Sequence, residues 1–169
     1  MAWSEAETAV RAVQLHFNLI SRAWKGTLSS DIYYRALGAM IDVFLYTFLD
    51  PVLKADDISE SASQFVGSLY RSIQLQCGEL FSSGTYKQSF TKSKYVSSTA
   101  IARKYCSVWD RFVTVGEILQ MSLSDIEEGL PLGKFFTITG AELSHLIIAT
   151  FDDSEKRRNV LQALSDVQD

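Results

Sequence analysis

The sequence predicts an all-α fold, an antiparallel bundle of about six helices forming a single domain over residues 1–169. Three observations carry that reading. Apolar residues recur in alternating steps of three and four along most of the chain, which gathers them on one helical face. Ser/Thr-x-x-Glu pairs, which satisfy the free N–H groups of a helix start, precede apolar runs near both ends. No apolar/polar alternation lasts long enough to demand a sheet, although Phe135–Ile138 or Tyr95–Val96 could be extended.

The elements follow in order. Ser4 to Trp24 carries Val10, Val13, Phe17, Ile20 and Trp24 on one face, with Ser4 and Glu7 as a capping box and Arg22 and Lys25 near the negative end before Gly26. A second helix starts after Ser29 or Ser30 and turns Tyr33, Leu37, Met40 or Ile41, Phe44 and Phe48 inward. Ala36, Leu45 and Leu49 widen its stripe, which predicts a central helix contacted from several sides, ended or kinked at Pro51. A third runs from the Asp56–Ser63 region through Phe65, Leu69, Ile73, Cys77 and Leu80 to Phe81. Residues 82–98, rich in Ser, Thr and Lys, read as a long loop. From Thr99 the period returns through Ile101, Tyr105, Val108 or Trp109 and Phe112 and continues to Ile126, with any break near Gly116. Gly129, Pro131 and Gly133 open a turn over Leu130–Thr137. A second capping box, Thr139 with Glu142, starts a helix carrying Leu143, Leu146, Ile147, Thr150 and Phe151. Asp152 and Asp153 close it, and a last helix from Ser154 to Ser165 buries Val160, Leu161 and Leu164.

Composition excludes several classes. With 47% hydrophobic, 12% aromatic and 21% charged residues, disorder is not the main state. Sixteen basic against twenty acidic residues, a net charge of −4, give no field that would hold a polyanion. Cys77 and Cys106 form no CxxC pair, so neither a zinc site nor a disulfide framework is expected, and a reduced, cytoplasmic protein fits better. The most apolar stretch, Ala36–Leu49, is interrupted by Asp42 and is shorter than the roughly 20 residues of a bilayer span. Glu5 and Glu7 stand where a signal peptide carries basic residues.

The residues that carry catalysis are equally sparse. Glu142 and His145 have the Glu-x-x-His spacing of carboxylate-bridged metal sites, but His16 has no acid at the matching offset, so a surface position beside a cap is expected. No Gly-x-Ser-x-Gly elbow, Walker loop or Gly-x-Gly-x-x-Gly occurs. The expectation is a protein that is not an enzyme, with no catalytic residue, metal or cofactor.

One charge feature stands out. Between Glu79 and Asp110 there is no acidic residue, while Lys87, Lys92, Lys94, Arg103 and Lys104 interleave with Tyr86, Phe90, Tyr95 and Tyr105. Basic residues among aromatics can hold anionic lipid or nucleic acid, or form a solvated connection packed by its aromatics. A lipid- or nucleic-acid-contacting module using the segment 86–104 is therefore the alternative to a protein-interaction module, although no nucleic acid is expected as partner.

Two blocks resemble a known family. ISRAWKGTLSSDIYYRALGAM (residues 20–40) and the tail FTITGAELSHLIIATFDDSEKRRNVLQAL are similar to the C-terminal region of the Zeste-White-Ten/Dsl-one family of vesicle-tethering subunits. The matching positions are Trp24, Lys25, Leu28, Ile32, Tyr33, Ala36 and Gly38, then Glu142, Leu146, Ile147, Phe151, Glu155, Arg157, Arg158 and Leu161. The resemblance implies the C-terminal part of a helical-rod subunit, hence a C-terminal fragment of a larger protein. It implies a complex that captures Golgi-derived retrograde vesicles at the endoplasmic reticulum, reaching SNAREs and the vesicle coat indirectly. It also implies, in animals, a place at mitotic kinetochores. The partner so implied is a large α-solenoid subunit, NAG at the endoplasmic reticulum or Rod at the kinetochore, with cytoplasmic location and peripheral membrane association through the complex. From the residues themselves, the last two helices are the candidate partner surface. Glu155, Lys156, Arg157 and Arg158 set charges of both signs beside Leu161 and Leu164, an arginine-plus-apolar mixture found in interface centres. The alternative is that Leu161 and Leu164 only seal the bundle and the charges are solvated.

Overall fold

The computed structural model describes the backbone of residues 2–82 and 92–168 and the side chains of 5–82 and 98–166. Every regular element among them is a helix: α1 (Ala2–Lys25), α2 (Ser30–Leu53), α3 (Glu60–Leu80), α4 (Lys92–Tyr105), α5 (Trp109–Ile118), α6 (Leu123–Gly129), α7 (Gly140–Thr150) and α8 (Glu155–Gln168). Helices thus number eight among the described residues where about six were expected. Tyr95–Val96 lies in α4 and Phe135–Ile138 in turns, so neither is extended.

The difference arises mainly between Thr99 and Ile126, where one helix becomes three. The break falls at Cys106–Val108 and again at Leu119–Ser122, while Gly116 lies inside α5. A side chain distant in sequence causes the first break. The Asp42 carboxylate on α2 accepts the backbone N–H groups of Ser107 and Val108, both at 3.0 Å, the Ser107 hydroxyl at 2.8 Å and the Cys106 thiol at 2.8 Å. These bonds take the place of the intrahelical partners that a continuous helix would supply. The loop expected over 82–98 is also shorter, because Lys92–Ser98 belong to α4, and residues 83–91 lie outside the described ones. Ser4 sits within α1, which starts at Ala2, rather than at its cap. Pro51 does not end α2, which runs on to Leu53; in the last turn its missing N–H costs one bond only.

The described chain divides into two compact units, Met1–Leu45 with Arg71–Trp109, and Tyr46–Tyr70 with Asp110–Asp169. In the first, the buried stripe of α2 steps by four through Tyr33, Leu37 and Ile41 to Leu45, the last three fully inaccessible. Val10 and Phe17 of α1 and Ile73, Cys77 and Leu80 of α3 are buried in the same unit. Phe17 packs edge-on against Phe44 with ring centroids 5.2 Å apart. Ser21 and Tyr33 share a buried hydrogen bond of 2.7 Å, and the Tyr33 hydroxyl also reaches the Leu80 carbonyl at 3.3 Å. Gly38 lets α4 approach α2 closely, since a Cβ there would lie 2.0 Å from the Tyr105 carbonyl oxygen. Burial pushes the Cys77 thiol up to about 12, which leaves it protonated and inert.

In the second unit Tyr70 stacks on Phe112 with centroids 4.1 Å apart and donates to the Phe48 carbonyl at 2.7 Å. Leu143, Leu146 and Ile147 of α7 and Val160 of α8 are buried. The Ser63 hydroxyl bonds the Leu119 carbonyl, and the Ile58 N–H bonds the Ala149 carbonyl at 2.7 Å.

Helix α2 is contacted from several sides as expected, by α1 at Phe44, α3 at Tyr33 and α4 at Gly38, while Ile32, Val43 and Tyr46 are exposed. At 24 residues it is long and apolar enough, by length and composition, to cross a membrane, which Ala36–Leu49 alone was too short to indicate. Its inner stripe and the Asp42 hydrogen bonds face the protein, while 28% of its most apolar window is buried.

Candidate partner-binding surface

Helix α8 begins at a side-chain cap, the Ser154 hydroxyl accepting the Arg157 N–H at 3.1 Å. The charged residues of its first turns do not share one role. Arg157 folds back on the end of α7: Nη1 donates to the Phe151 carbonyl at 2.7 Å and reaches that of Ile148 at 3.4 Å, while Nη2 lies 3.1 Å from Asp153. Its side chain is only 17% exposed, so it acts chiefly to satisfy carbonyls that the helix end leaves unpaired. Arg158 remains 69% exposed, with Nε 3.4 Å from Asp153. Lys156 is exposed and donates to Ser124 at the start of α6, and Glu155 is exposed. Leu164 is buried with Val160, and Leu161 is half-buried. Of the six candidate residues, Glu155, Lys156 and Arg158 face solvent, whereas Arg157 and Leu164 belong to the packing of α8 on its neighbours.

The basic set is split by the structure. Arg103 and Lys104 are exposed in the last turn of α4, with the Lys104 ammonium 5.0 Å from the Tyr105 ring centre. Lys92 and Lys94 lie on α4, their side chains outside the described residues, and Lys87 is outside them altogether.

The Glu-x-x-His pair is committed elsewhere. Glu142 closes the capping box of α7, accepting the Thr139 N–H at 2.9 Å and its hydroxyl at 3.0 Å, and pairs with Arg111. His145 is half-buried rather than on the surface. A cleft of about 650 Å³ opens beside the end of α7, lined among others by Asp57, Glu60, Met121, Ile148, Phe151 and Asp152. Its walls mix carboxylates, serines and apolar side chains, with Arg157 and no histidine or cysteine among the lining residues.

The turn between α6 and α7 presents a feature that sequence reasoning missed. Leu130, Phe135 and Ile138 are buried, yet Leu132 and Phe136 are 80% and 85% exposed. Backbone bonds pin the turn: Gly133 N–H to Leu130 O at 3.1 Å, Lys134 N–H to Gly129 O at 3.2 Å and Ile138 N–H to Phe135 O at 3.1 Å. The Thr137 hydroxyl donates to that of Thr114 at 2.7 Å, and Gly133 takes a φ of 64°, which favours glycine. The available signal was an apolar LPLGKFF stretch where a turn is normally polar. Nearby, the Asp125 carboxyl is held below its ordinary value by the Ser122 hydroxyl and N–H, then by the charges of Lys134 and Lys156. Lys156 of α8 donates to Ser124, which sets the start of α8 against the start of α6.

Comparison with known proteins agrees with the helical pattern. The family described as ZW10 C-terminal helical domain matches residues 8–164. The centromere/kinetochore protein zw10 homologues of Rattus norvegicus and Mus musculus are each 25% identical over 162 residues, covering 94% of this chain and 20% of theirs. The chain thus spans about a fifth of the length of these relatives. With the family match running from the first turns of α1 to the end of the α8 core at Leu164, the chain belongs to the ZW10 C-terminal helical domain family.

Proposed function

We propose that this chain is a non-catalytic interaction scaffold, the C-terminal region of a subunit of a vesicle-tethering complex that also serves kinetochores in animals. The observation that carries the reading is the family match over residues 8–164, with relatives whose name is centromere/kinetochore protein. On this reading its direct partner is a large α-solenoid subunit of the NAG or Rod type. SNAREs, vesicle coat and the endoplasmic reticulum membrane are reached through the complex, from the cytoplasmic side. Supporting it, α8 turns Glu155, Lys156 and Arg158 to solvent. Charges of both signs on one exposed turn give an interface register and partner selectivity more than affinity.

The test is size-exclusion chromatography of this chain with the α-solenoid subunit from the same organism. A stable one-to-one complex is the expected outcome. Separate elution of a folded chain and a folded partner at micromolar concentrations would overturn the reading.

A further inference from the structure

We propose that Leu132 and Phe136, on the pinned turn between α6 and α7, are the apolar anchor of the partner interface, and that they seat in a basic-rimmed apolar groove of the α-solenoid subunit. This rests on the scaffold function proposed above and names the surface that performs it.

Leu132 and Phe136 are the two most exposed large apolar side chains among those described. Each lies next to a residue that is tucked away: Phe135 is 6% exposed and Leu130 8%. The turn therefore has a buried half that fixes its position and an outer half that is largely exposed to solvent. Rigidity matters here, because ordering a loop on binding costs free energy that a pre-formed turn avoids. Gly133, three backbone hydrogen bonds and the Thr137–Thr114 bond supply that rigidity. A large aromatic and a leucine held outward are the kind of side chains that dominate binding when a partner pocket desolvates them.

Charge specifies the pocket. Helix α6, which leads into the turn, exposes Asp125, Glu127 and Glu128. Against them stands Lys134, exposed within the turn itself. The approach to the anchor is thus predominantly acidic, which complements a basic border and disfavours an anionic bilayer. Stacked helix pairs of an α-solenoid offer grooves of the required shape along one face.

The experiment titrates wild type, the double variant Leu132→Ser/Phe136→Ser, and a control Val43→Ser against the α-solenoid subunit. Val43 is 70% exposed on α2, so it matches the anchor in exposure but not in place. All three proteins are expected to share one circular dichroism spectrum and melting temperature. The anchor variant should lose about tenfold or more in affinity, the size of a hot-spot truncation, and the control should lose none. Wild-type affinity should fall with added salt. Undiminished affinity of the anchor variant, or an equal loss in Val43→Ser, would overturn the assignment. So would anchor-dependent flotation on phosphatidylcholine/phosphatidylserine vesicles, or an anchor-dependent dimer, with affinity for the solenoid unchanged. A wild type that does not bind at all overturns the scaffold function itself, and this assignment with it.

Discussion

Asp42 shows how one side chain decides where helices end. Burial alone would raise its pKa, but hydrogen bonds from the Cys106 thiol, the Val108 and Ser107 N–H groups and the Ser107 hydroxyl outweigh it and lower the value. A carboxyl with a lowered folded pKa contributes stability above its unfolded value of about 4, and that contribution is lost as pH falls through the folded value. Asp42→Asn should therefore cost about 1–2 kcal/mol at pH 7 and progressively less below pH 4, read from urea unfolding at both pH values. The two adjacent arginines of α8 make a second contrast. Arg157→Glu removes the donor to the Phe151 and Ile148 carbonyls and places a carboxylate beside Asp153, so a loss of about 1–3 kcal/mol in thermal or urea unfolding is expected. Arg158→Glu, at an exposed position, should stay within about 0.5 kcal/mol. Charge reversal at both positions together would thus confuse folding with binding, and Arg158 with Lys156 is the cleaner pair for testing the surface.

Among the elements, the contact of α2 with α4 depends on the absence of a side chain. Alanine normally improves a helix interior by about 1 kcal/mol over glycine. At Gly38 a Cβ would meet the Tyr105 carbonyl oxygen at 2.0 Å, a backbone atom that moves only if α4 moves. Gly38→Ala should therefore destabilise by about 1–3 kcal/mol net, lowering the melting temperature by several degrees. An unchanged or raised melting temperature would show that α4 gives way without cost. Helix ends follow the same logic at lower cost. Thr139–Glu142 and Ser122–Asp125 form reciprocal caps readable as local patterns, and the first was read correctly from the sequence. The Ser4–Glu7 match was misleading because the same pattern also occurs inside a helix that begins earlier.

Across the whole molecule, the proposed function and its anchor draw on surfaces of the second unit, Tyr46–Tyr70 with Asp110–Asp169. The local determinants were legible from residues alone: the all-helical class, the spans of α1, α2, α3 and α7 to within a few residues, and the buried periods Tyr33–Leu37–Ile41 and Leu143–Leu146–Ile147. Helical periodicity and short-range caps act over one or two turns, so a linear pattern contains them. Family resemblance was legible too, because it lies in ordered blocks such as WKGTLSSDIYY. The break between α4 and α5 was not, since its cause is a carboxylate more than sixty positions away. Nor were the inward turn of Arg157, the outward face of α2 or the exposure of Leu132 and Phe136. Each depends on which neighbours cover a residue, and burial is a property of the packed chain. The sequence by itself determined that these segments are helices and which faces are apolar; tertiary structure alone decided which charges and apolar residues remain available to a partner, because that availability is what packing leaves over.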